Sequence, residues 1–308
     1  MLYALPSWLK GPLAILLILC STLFWFPVLL AFAILKLILP VQSIRVLCTQ
    51  ALNGIANIWI GSNGTFINLL HRIQWHIIGL EGLKKREWYF VTCNHQTWAD
   101  IPVIQYVLHR RIPLLKFFLK RQLIWVPLLG IAWWALDFPF MQRYSKELLE
   151  RRPELKGKDL ETTKRACEKF KYTPVTVFNF LEGTRLTSEK YAQQKPPYRN
   201  LLRPKAGGAA FVMGAMGDHL HTMLDVTILY PDGRPSFWKF LSGQMHRIAV
   251  HIKTIQIPSE FLNRDYMNDA QFRDQFQSWV TDLWHEKDWR LERMKTEYGV
   301  TRELGEVA

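Results

Sequence analysis

The chain has 308 residues, 49% of them hydrophobic and 13% aromatic, which excludes global disorder and allows one large α/β domain with an appendage or two modest domains. Lys and Arg number 39 against 26 Asp and Glu, so the net charge of +13 indicates an anionic partner: nucleic acid, an anionic bilayer, or a phosphorylated or acidic substrate. Four widely spaced cysteines form no C-x-x-C pair, which excludes a disulfide framework and suits a reducing compartment.

The N-terminal segment is strongly apolar. Residues 11–35 contain no charged side chain, and as a helix they would extend roughly 37 Å, enough to cross a bilayer. Pro27 near the middle permits a kink or a re-entrant hairpin, so a span and a monotopic insertion are both open. Basic residues gather after this run, which places the rest of the chain in the cytoplasm. We predict a membrane anchor here.

A second, amphipathic helix on the bilayer surface is predicted between Val41 and Leu70, with a turn at 61–64. A strand follows around Ile73–Ile78, and a turn at 79–83 leads to the next strand. The predicted division is therefore a membrane-anchoring helical region at 1–70 and an α/β domain at 71–308.

The segment around His95 joins a strand to a helix. Residues 88–93 are aromatic, β-branched and uncharged, as in a buried strand, whereas 101–111 form a short apolar helix with a cationic last turn. On one continuous helix His95 and Asp100 would point roughly 140° apart. With His95 in the turn before the helix, Asp100 can return beneath the imidazole, fix its tautomer and stabilise an imidazolium.

A structural role for the same residues is the alternative. Thr97 and Asp100 have the spacing of a capping box, with Thr97 as N-cap and Asp100 at the third helical position. An isolated histidine near a helix start is more often a polar surface residue than a base.

Residues 113–141 are apolar enough that hydropathy favours a second membrane span. A crossing there would separate His95 from everything after Gln142. A basic and aromatic lip at 117–121 and the tryptophans at 125, 133 and 134 favour an interfacial element that lines an acyl groove. We predict the interfacial element.

The remaining elements alternate between strands and helices. A buried strand at 174–181 ends in the loop 182–185, and ligands of open α/β sheets collect at such strand ends. The other predicted elements are a charged helix at 146–171, a mobile loop at 187–200, a helix beginning within 202–211, a strand at 225–231, a strand pair at 238–243 and 248–257, and an amphipathic helix at 272–294.

Four short blocks occur in order along the chain: Asn94-His95-x-x-x-x-Asp100, Phe140–Arg143, Glu182–Arg185 and Val226–Pro231. Together they resemble the four motif blocks of the glycerolipid acyltransferases, the 1-acylglycerol-3-phosphate (lysophosphatidic acid) acyltransferase family, over about residues 75–235. The stretch 134–145 is similar to bacterial inner-membrane members. The resemblance implies an α/β fold with a mixed, mostly parallel sheet flanked by helices and an N-terminal membrane-embedded helical segment. It also implies that the protein lies at the bacterial inner membrane, with its active site on the cytoplasmic side.

The resemblance also implies a reaction. His95 would act as a general base, oriented by Asp100, that takes the proton from a glycerol hydroxyl, which attacks an acyl thioester with no acyl-enzyme intermediate. The implied partners are the phospholipid membrane, lysophosphatidic acid, and acyl-CoA or acyl carrier protein as co-substrate, with no separate cofactor, no metal and no nucleic acid.

The acceptor and its phosphate are implied to contact residues of the second and third blocks and one lysine beyond them: Arg143, Glu182, Gly183, Thr184, Arg185 and Lys205. Arginine forks suit a phosphate monoester. Backbone N–H groups of the loop 182–185 are candidates for stabilising the oxyanion, and Gly183 permits close approach. Glu182 could hold a glycerol hydroxyl or a neighbouring arginine.

The second block departs from the usual pattern, because Gln142 replaces the aspartate often found before the arginine and Met141 replaces a β-branched residue. Since this block is associated with acceptor binding, a remodelling acyltransferase for other lysophospholipids stays open beside the phosphatidate-forming reaction. A non-enzymatic membrane-associated binding protein is a further alternative. Dispersed basic residues argue against a nucleic-acid module, and the absence of Gly-x-Ser-x-Gly and of HExxH argues against serine and metal hydrolases.

Overall fold

The computed structural model describes residues 2–141, 151–152 and 167–300 of the chain. It opens with two long helices, α1 (Ser7–Ile38) and α2 (Gln42–Leu70). A three-residue connection folds α2 back along α1, and the indole N–H of Trp59 donates to the Thr22 hydroxyl at 3.0 Å. Among the described residues, α1 alone is long and apolar enough to cross a membrane.

Both ends of α1 contact the α/β domain that follows it. Near its start, Gly11 lies so close to the Trp238 ring that an added Cβ would be 2.5 Å from it. Near its end, Lys36 forms an ion pair with Asp137. The helix between these points is roughly 37 Å long. The helical hairpin therefore lies along the domain instead of projecting from it.

The turn predicted at 61–64 is wrong, because α2 continues through it. The two glycines that favoured a turn serve helix packing instead. A Cβ on Gly61 would lie 3.1 Å from the His109 ring, and one on Gly64 would lie 3.0 Å from the Tyr106 ring. Their missing side chains let α2 approach these aromatic rings.

Eight strands follow the hairpin within the described residues: β1 (Gln74–Ile78), β2 (Tyr89–Cys93), β3 (Leu115–Phe117), β4 (Leu119–Lys120), β5 (Phe140–Met141), β6 (Thr176–Asn179), β7 (Thr222–Leu229) and β8 (Arg247–Gln256). Six of them form one sheet in the order β1-β8-β7-β2-β6-β3, and β4 pairs with β5. Every pair is parallel except β7 with β8. The predicted mixed, mostly parallel sheet is confirmed.

The central strand β2 is buried along its whole length, which explains its uninterrupted apolar sequence. Tyr89 and Val91 belong to the core on the side of the α1–α2 hairpin, whereas Phe90 belongs to the opposite core. Because β2, β6 and β7 are parallel neighbours, their carboxyl ends meet at one edge.

In the part of the chain that the structure describes, six more helices surround this sheet: α3 (Asp100–Leu108), α4 (Leu129–Ala135), α5 (Ser188–Gln194), α6 (Gly207–Met216), α7 (Phe237–Leu241) and α8 (Ala270–Glu297). Helices α6 and α8 supply the core on the Phe90 side. From α8, Lys287 and Arg290 form buried ion pairs with Asp225 of β7, at 2.7 and 2.8 Å.

Residues 113–141 form no second span. They fold into β3, β4, a 3₁₀ turn at Arg121–Trp125, the seven-residue α4 and β5. The helical path is interrupted at Leu128, whose φ is +62°, and the chain turns so tightly there that a Cβ on Gly130 would lie 2.0 Å from the Ile124 carbonyl oxygen. The prediction against a span is confirmed.

Three local predictions are wrong. The segment 238–243 is not a strand, because Ser236 caps α7 there by accepting from the Lys239 N–H. The predicted loop at 187–200 contains α5, capped by Thr187. The basic residues 109–111 follow the end of α3 instead of forming its last turn. Most of the charged helix predicted at 146–171 lies outside the described residues.

The contacts of Gly79 give a stability prediction with a matched control. Gly79 and Gly233 have φ of +90° and +91°, but only at Gly79 does an added Cβ collide, 1.9 Å from the Ile252 carbonyl oxygen. Gly233→Ala should lower the unfolding free energy by about 1 kcal/mol through backbone strain. Gly79→Ala should lower it by roughly 1–3 kcal/mol more, because the overlap forces strands apart. Denaturant titration of the solubilised protein measures both, and equal losses would contradict the packing assigned to Gly79.

Candidate active site

The turn after β2 is tied to the neighbouring strand β7. The Asn94 side chain donates to the Ile228 carbonyl oxygen at 3.0 Å and accepts from the Ile228 N–H at 2.9 Å. The Gln96 amide donates to the same carbonyl at 2.7 Å. These bonds fix the backbone on both sides of His95 at the edge where the parallel strands end.

Asp100 is completely buried and lies beside His95, as the spacing predicts. One carboxylate oxygen is 2.9 Å from Nδ1 of His95 and accepts the backbone N–H groups of Gln96 and Thr97, at 2.7 and 2.9 Å. The imidazole therefore donates its Nδ1 proton to the carboxylate, which leaves Nε2 for a substrate. The bond from the Thr97 N–H is one of the two in the predicted capping box, but Thr97 is not the N-cap, because α3 begins at Asp100 directly after Ala99. The same carboxylate therefore holds the turn and orients the histidine.

Tyr230 is the partner of the other Asp100 oxygen, to which its hydroxyl donates at 2.6 Å. The ring is buried, and burial together with the neighbouring Asp100 carboxylate raises the pKa of Tyr230 well above its ordinary value. The hydroxyl is therefore a permanent donor. Its only signal in the sequence is its place in the fourth block.

The imidazole plane is held by a second aromatic ring. Phe180 stacks on His95 with ring centroids 3.7 Å apart and an interplanar angle of 13°. The His95 carbonyl also accepts the N–H of Leu186 at 2.8 Å. Only 12% of the histidine side chain is exposed, so its free edge meets the cavity and little else.

Glu182 is a support for the turn and does not face a ligand. Its side chain is buried, and its two oxygens accept the backbone N–H groups of His95 at 3.0 Å and Leu202 at 3.2 Å. The expected contact with a glycerol hydroxyl or an arginine is therefore wrong. Burial raises the pKa of Glu182 to about 8, while the two backbone donors and Lys287 act in the opposite direction.

A cavity of about 530 Å³ begins at His95. Its walls are mainly aromatic and aliphatic side chains from α1, α2, β3 and α4, including Trp25, Trp59, Phe117 and Trp133. The hairpin that precedes the sheet thus forms one side of this cavity. The groove predicted from residues 113–141 is present.

A smaller, polar space of about 210 Å³ shares His95 and Gly183 with the apolar cavity. Arg185 and Thr184 line it, and the Arg185 guanidinium lies 4.7 Å above the Trp98 ring. Lys120 lines both spaces. The sequence predicts Lys120 in a basic lip but not in the site. Its neighbours in sequence do not indicate that β4 brings it to the same space as Arg185.

Lys205 and the Gly183 N–H differ from the expectation, whereas the contact predicted for Arg143 stays a prediction. Lys205 is exposed, and its side chain lies outside the residues that line either space. Arg143 lies outside the described residues. Gly183, with φ of +68°, donates its N–H to the Phe180 carbonyl at 2.8 Å, so that group is occupied in a tight turn. Within the described part of the chain, no group of three His, Cys, Asp or Glu side chains is placed to hold a metal ion.

The site combines an oriented imidazole with a space that is apolar on one side and cationic on the other, an arrangement suited to group transfer on an amphiphile. Comparison with known proteins gives the class. The sequence profile of the Acyltransferase family matches residues 74–230, half of the chain, and the chain belongs to this family. The crystal structure of the 1-acyl-sn-glycerophosphate acyltransferase PlsC from Thermotoga maritima has a similar fold, with a TM-score of 0.51 and 16% identity, covering 94% of this chain and 96% of that one.

The alignments with curated relatives cover only part of each protein. The 2-acyl-1-lysophosphatidylinositol acyltransferase of Saccharomyces cerevisiae is 22% identical over 65% of this chain and 60% of its own. The 1-acyl-sn-glycerol-3-phosphate acyltransferase gamma of Mus musculus is 25% identical over 60% of this chain and 46% of its own. The lysocardiolipin acyltransferase 1 of Gallus gallus is 26% identical over 40% and 33%. The chain thus matches 60% or less of the length of these relatives.

The raised pKa of Glu182 gives a pH-dependent stability prediction. Between its ordinary value of 4.5 and about 8, the folded protein keeps a proton that the unfolded chain has lost, so the wild-type unfolding free energy should fall as pH rises through this window. Glu182→Gln removes this contribution. The unfolding free energy of wild type minus that of the variant should therefore fall from pH 5 to pH 8, as measured by denaturant titration. A difference that does not change with pH would contradict a neutral Glu182.

Proposed function

We propose that the protein transfers a fatty acyl group from an acyl thioester, of CoA or of acyl carrier protein, to the free hydroxyl of 1-acyl-glycerol-3-phosphate, giving phosphatidic acid. The observation that carries the proposal is the buried Asp100 carboxylate on Nδ1 of His95, at the junction of an apolar and a cationic space. Membership in the acyltransferase family supports the reaction class.

His95 acts as the general base. Its Nε2 takes the hydroxyl proton as the acceptor oxygen attacks the thioester carbonyl carbon, and the imidazolium is stabilised by Asp100. When the tetrahedral intermediate collapses, the carbon–sulfur bond breaks and the thiolate takes the proton back from Nε2. The enzyme ends the cycle unchanged, and no residue is acylated.

The oxyanion of the intermediate needs donors that are already in place. The N–H of Gly183 is occupied, as is that of Leu186, which donates to the His95 carbonyl. The backbone N–H groups of Thr184 and Arg185 lie between them and have no acceptor among the described residues. We assign the oxyanion to this pair.

Lys120 and Arg185 bind the acceptor phosphate. They approach the polar space from different segments, β4 and the loop after β6, and both line it together with His95. The Trp98 ring below the Arg185 guanidinium limits where that guanidinium can turn. Acyl chains extend into the neighbouring apolar cavity, which ends at the same histidine.

The protein lies on one face of a membrane. A spanning α1 would carry Gly11 and Lys36 to opposite sides of the bilayer, yet both ends contact one α/β domain. Large apolar side chains on the outer face of α1, such as Phe24, are exposed. We therefore propose monotopic insertion of the hairpin, at the cytoplasmic face of a bacterial inner membrane, where the basic residues after α1 favour it.

The assigned base is tested by His95→Ala in the purified protein with lysophosphatidate and acyl-CoA. Loss of the base should lower the rate of thiol release by about three powers of ten. His246→Ala is the control, because His246 is exposed and does not line either space beside His95, and it should retain activity. Equal rates in wild type and His95→Ala would falsify the mechanism and favour a binding protein without catalysis.

The phosphate contacts are tested separately. Lys120→Gln and Arg185→Gln should each raise the KM for lysophosphatidate by about ten-fold, since each removes a charged hydrogen bond, and should leave the donor KM within about two-fold. Lys205→Gln removes the same charge outside the cavity and should change neither value. Steady-state kinetics with one substrate varied at a time decides this. A rise for Lys205→Gln as large as that for Arg185→Gln would restore Lys205 to the site.

A remodelling reaction on other lysophospholipids is the second candidate. It is supported by relatives named for lysophosphatidylinositol and for lysocardiolipin, and by the unusual Met141 in the second block. The same assay with a panel of lysolipids separates the two candidates. The phosphatidate-forming proposal requires the highest kcat/KM with lysophosphatidate.

A further inference from the structure

A separate cavity of about 300 Å³ lies where α1 ends and α2 begins. Its walls come from the last turn of α1, the first turns of α2, the segment around Asp137, and residues 169–173. It shares no lining residue with either space beside His95. The proposed acyl transfer therefore makes no use of it.

The charges around this cavity are unbalanced. The Asp137 side chain is 9% exposed, forms an ion pair with Lys36 and accepts from Lys169 at 3.1 Å. Burial alone would raise the pKa of Asp137, but the ammonium groups of Lys116, Lys36 and Lys169 lower it. Two lysines that line the cavity, Lys36 and Lys169, thus pair with one carboxylate, and Arg45 lines the cavity beside them. The described residues leave an excess of positive charge at this point.

The first turn of α2 adds to the positive potential. This 29-residue helix begins at Gln42, which lines the cavity, and it has neither a side-chain cap nor an acidic residue in its first turn. Its first N–H groups and the positive end of its dipole therefore favour an anion beside the lysine and arginine side chains.

The rim of the cavity is apolar and open. Leu37 is 63% exposed and Trp134 is 48% exposed, and both also line the cavity. The cationic pocket suits the phosphate of a phospholipid headgroup, and the exposed apolar side chains beside it suit the acyl chains. Both lie on the hairpin that we propose to insert into the membrane. A soluble anion would use only the charges.

We propose that this cavity binds the phosphate of an anionic phospholipid headgroup, whose acyl chains lie along Leu37 and Trp134. Lys36, Arg45 and Lys169 contact the phosphate oxygens, and the start of α2 faces the same group. The site rests on the membrane association proposed above, but not on the acyl-transfer reaction, so a binding measurement tests it even if the assigned chemistry fails.

The test titrates tail-labelled phosphatidylglycerol into the full-length protein in neutral detergent micelles. Wild type should bind one lipid per chain saturably, and tail-labelled phosphatidylcholine about ten-fold more weakly, because its choline group is repelled. The variant R45Q/K169Q removes two exposed cations and should raise the dissociation constant by about ten-fold or more. Inorganic phosphate at millimolar concentration should not displace the lipid, since it lacks the apolar contacts.

Two control variants remove the same charge elsewhere. K85Q/R86Q alters the exposed loop between β1 and β2, and K120Q/R185Q alters the space beside His95. Both should keep the dissociation constant within about two-fold of wild type. An equal loss in K85Q/R86Q would reduce the effect to diffuse attraction, and an equal loss in K120Q/R185Q would place the lipid beside His95. Either result, or full displacement by inorganic phosphate, overturns the proposal.

Discussion

The Asp100 carboxylate is the interaction on which the site depends. It is buried beneath the turn after β2 and accepts from three donors: the His95 ring, the backbone of the turn itself, and the hydroxyl of Tyr230, the residue that follows β7. A buried carboxylate is costly unless its oxygens are bonded, so this arrangement is stable only when the turn, the imidazole and β7 are all in place. The orientation of His95 is thus a consequence of folding and needs no substrate.

A second carboxyl group supports the same turn. Glu182 accepts the His95 N–H, and its loop contributes Gly183 and Arg185 to the cavity. The first and third blocks are therefore one structural unit, although 87 residues separate them in the chain. A change in either carboxyl group moves both the imidazole and the cationic end of the cavity, so mutations here combine structural and chemical effects.

The elements that the sequence predicts well are those with a strong local pattern. The apolar run of α1, the buried β2 and the five-residue spacing from His95 to Asp100 each specify their structure within a few neighbours. The predictions that fail concern residues whose positions depend on contacts with parts of the chain distant in sequence. Glu182 has the polarity of a ligand-binding residue, and only its two backbone partners show that it is enclosed. The sequence favours Lys205 as a phosphate contact over Lys120, yet of the two it is Lys120, at the end of β4, that lines the cavity.

The α1–α2 hairpin contributes Trp25 and Trp59 to the wall of the cavity that begins at His95. The hairpin that we propose to insert into a bilayer is therefore also one wall of the proposed substrate cavity. Cutting the chain near residue 71 would not release a soluble catalytic unit, since it would leave the apolar chamber open along one side and its aromatic lining in water. In the proposed mechanism, membrane attachment and acyl transfer therefore depend on the same two helices.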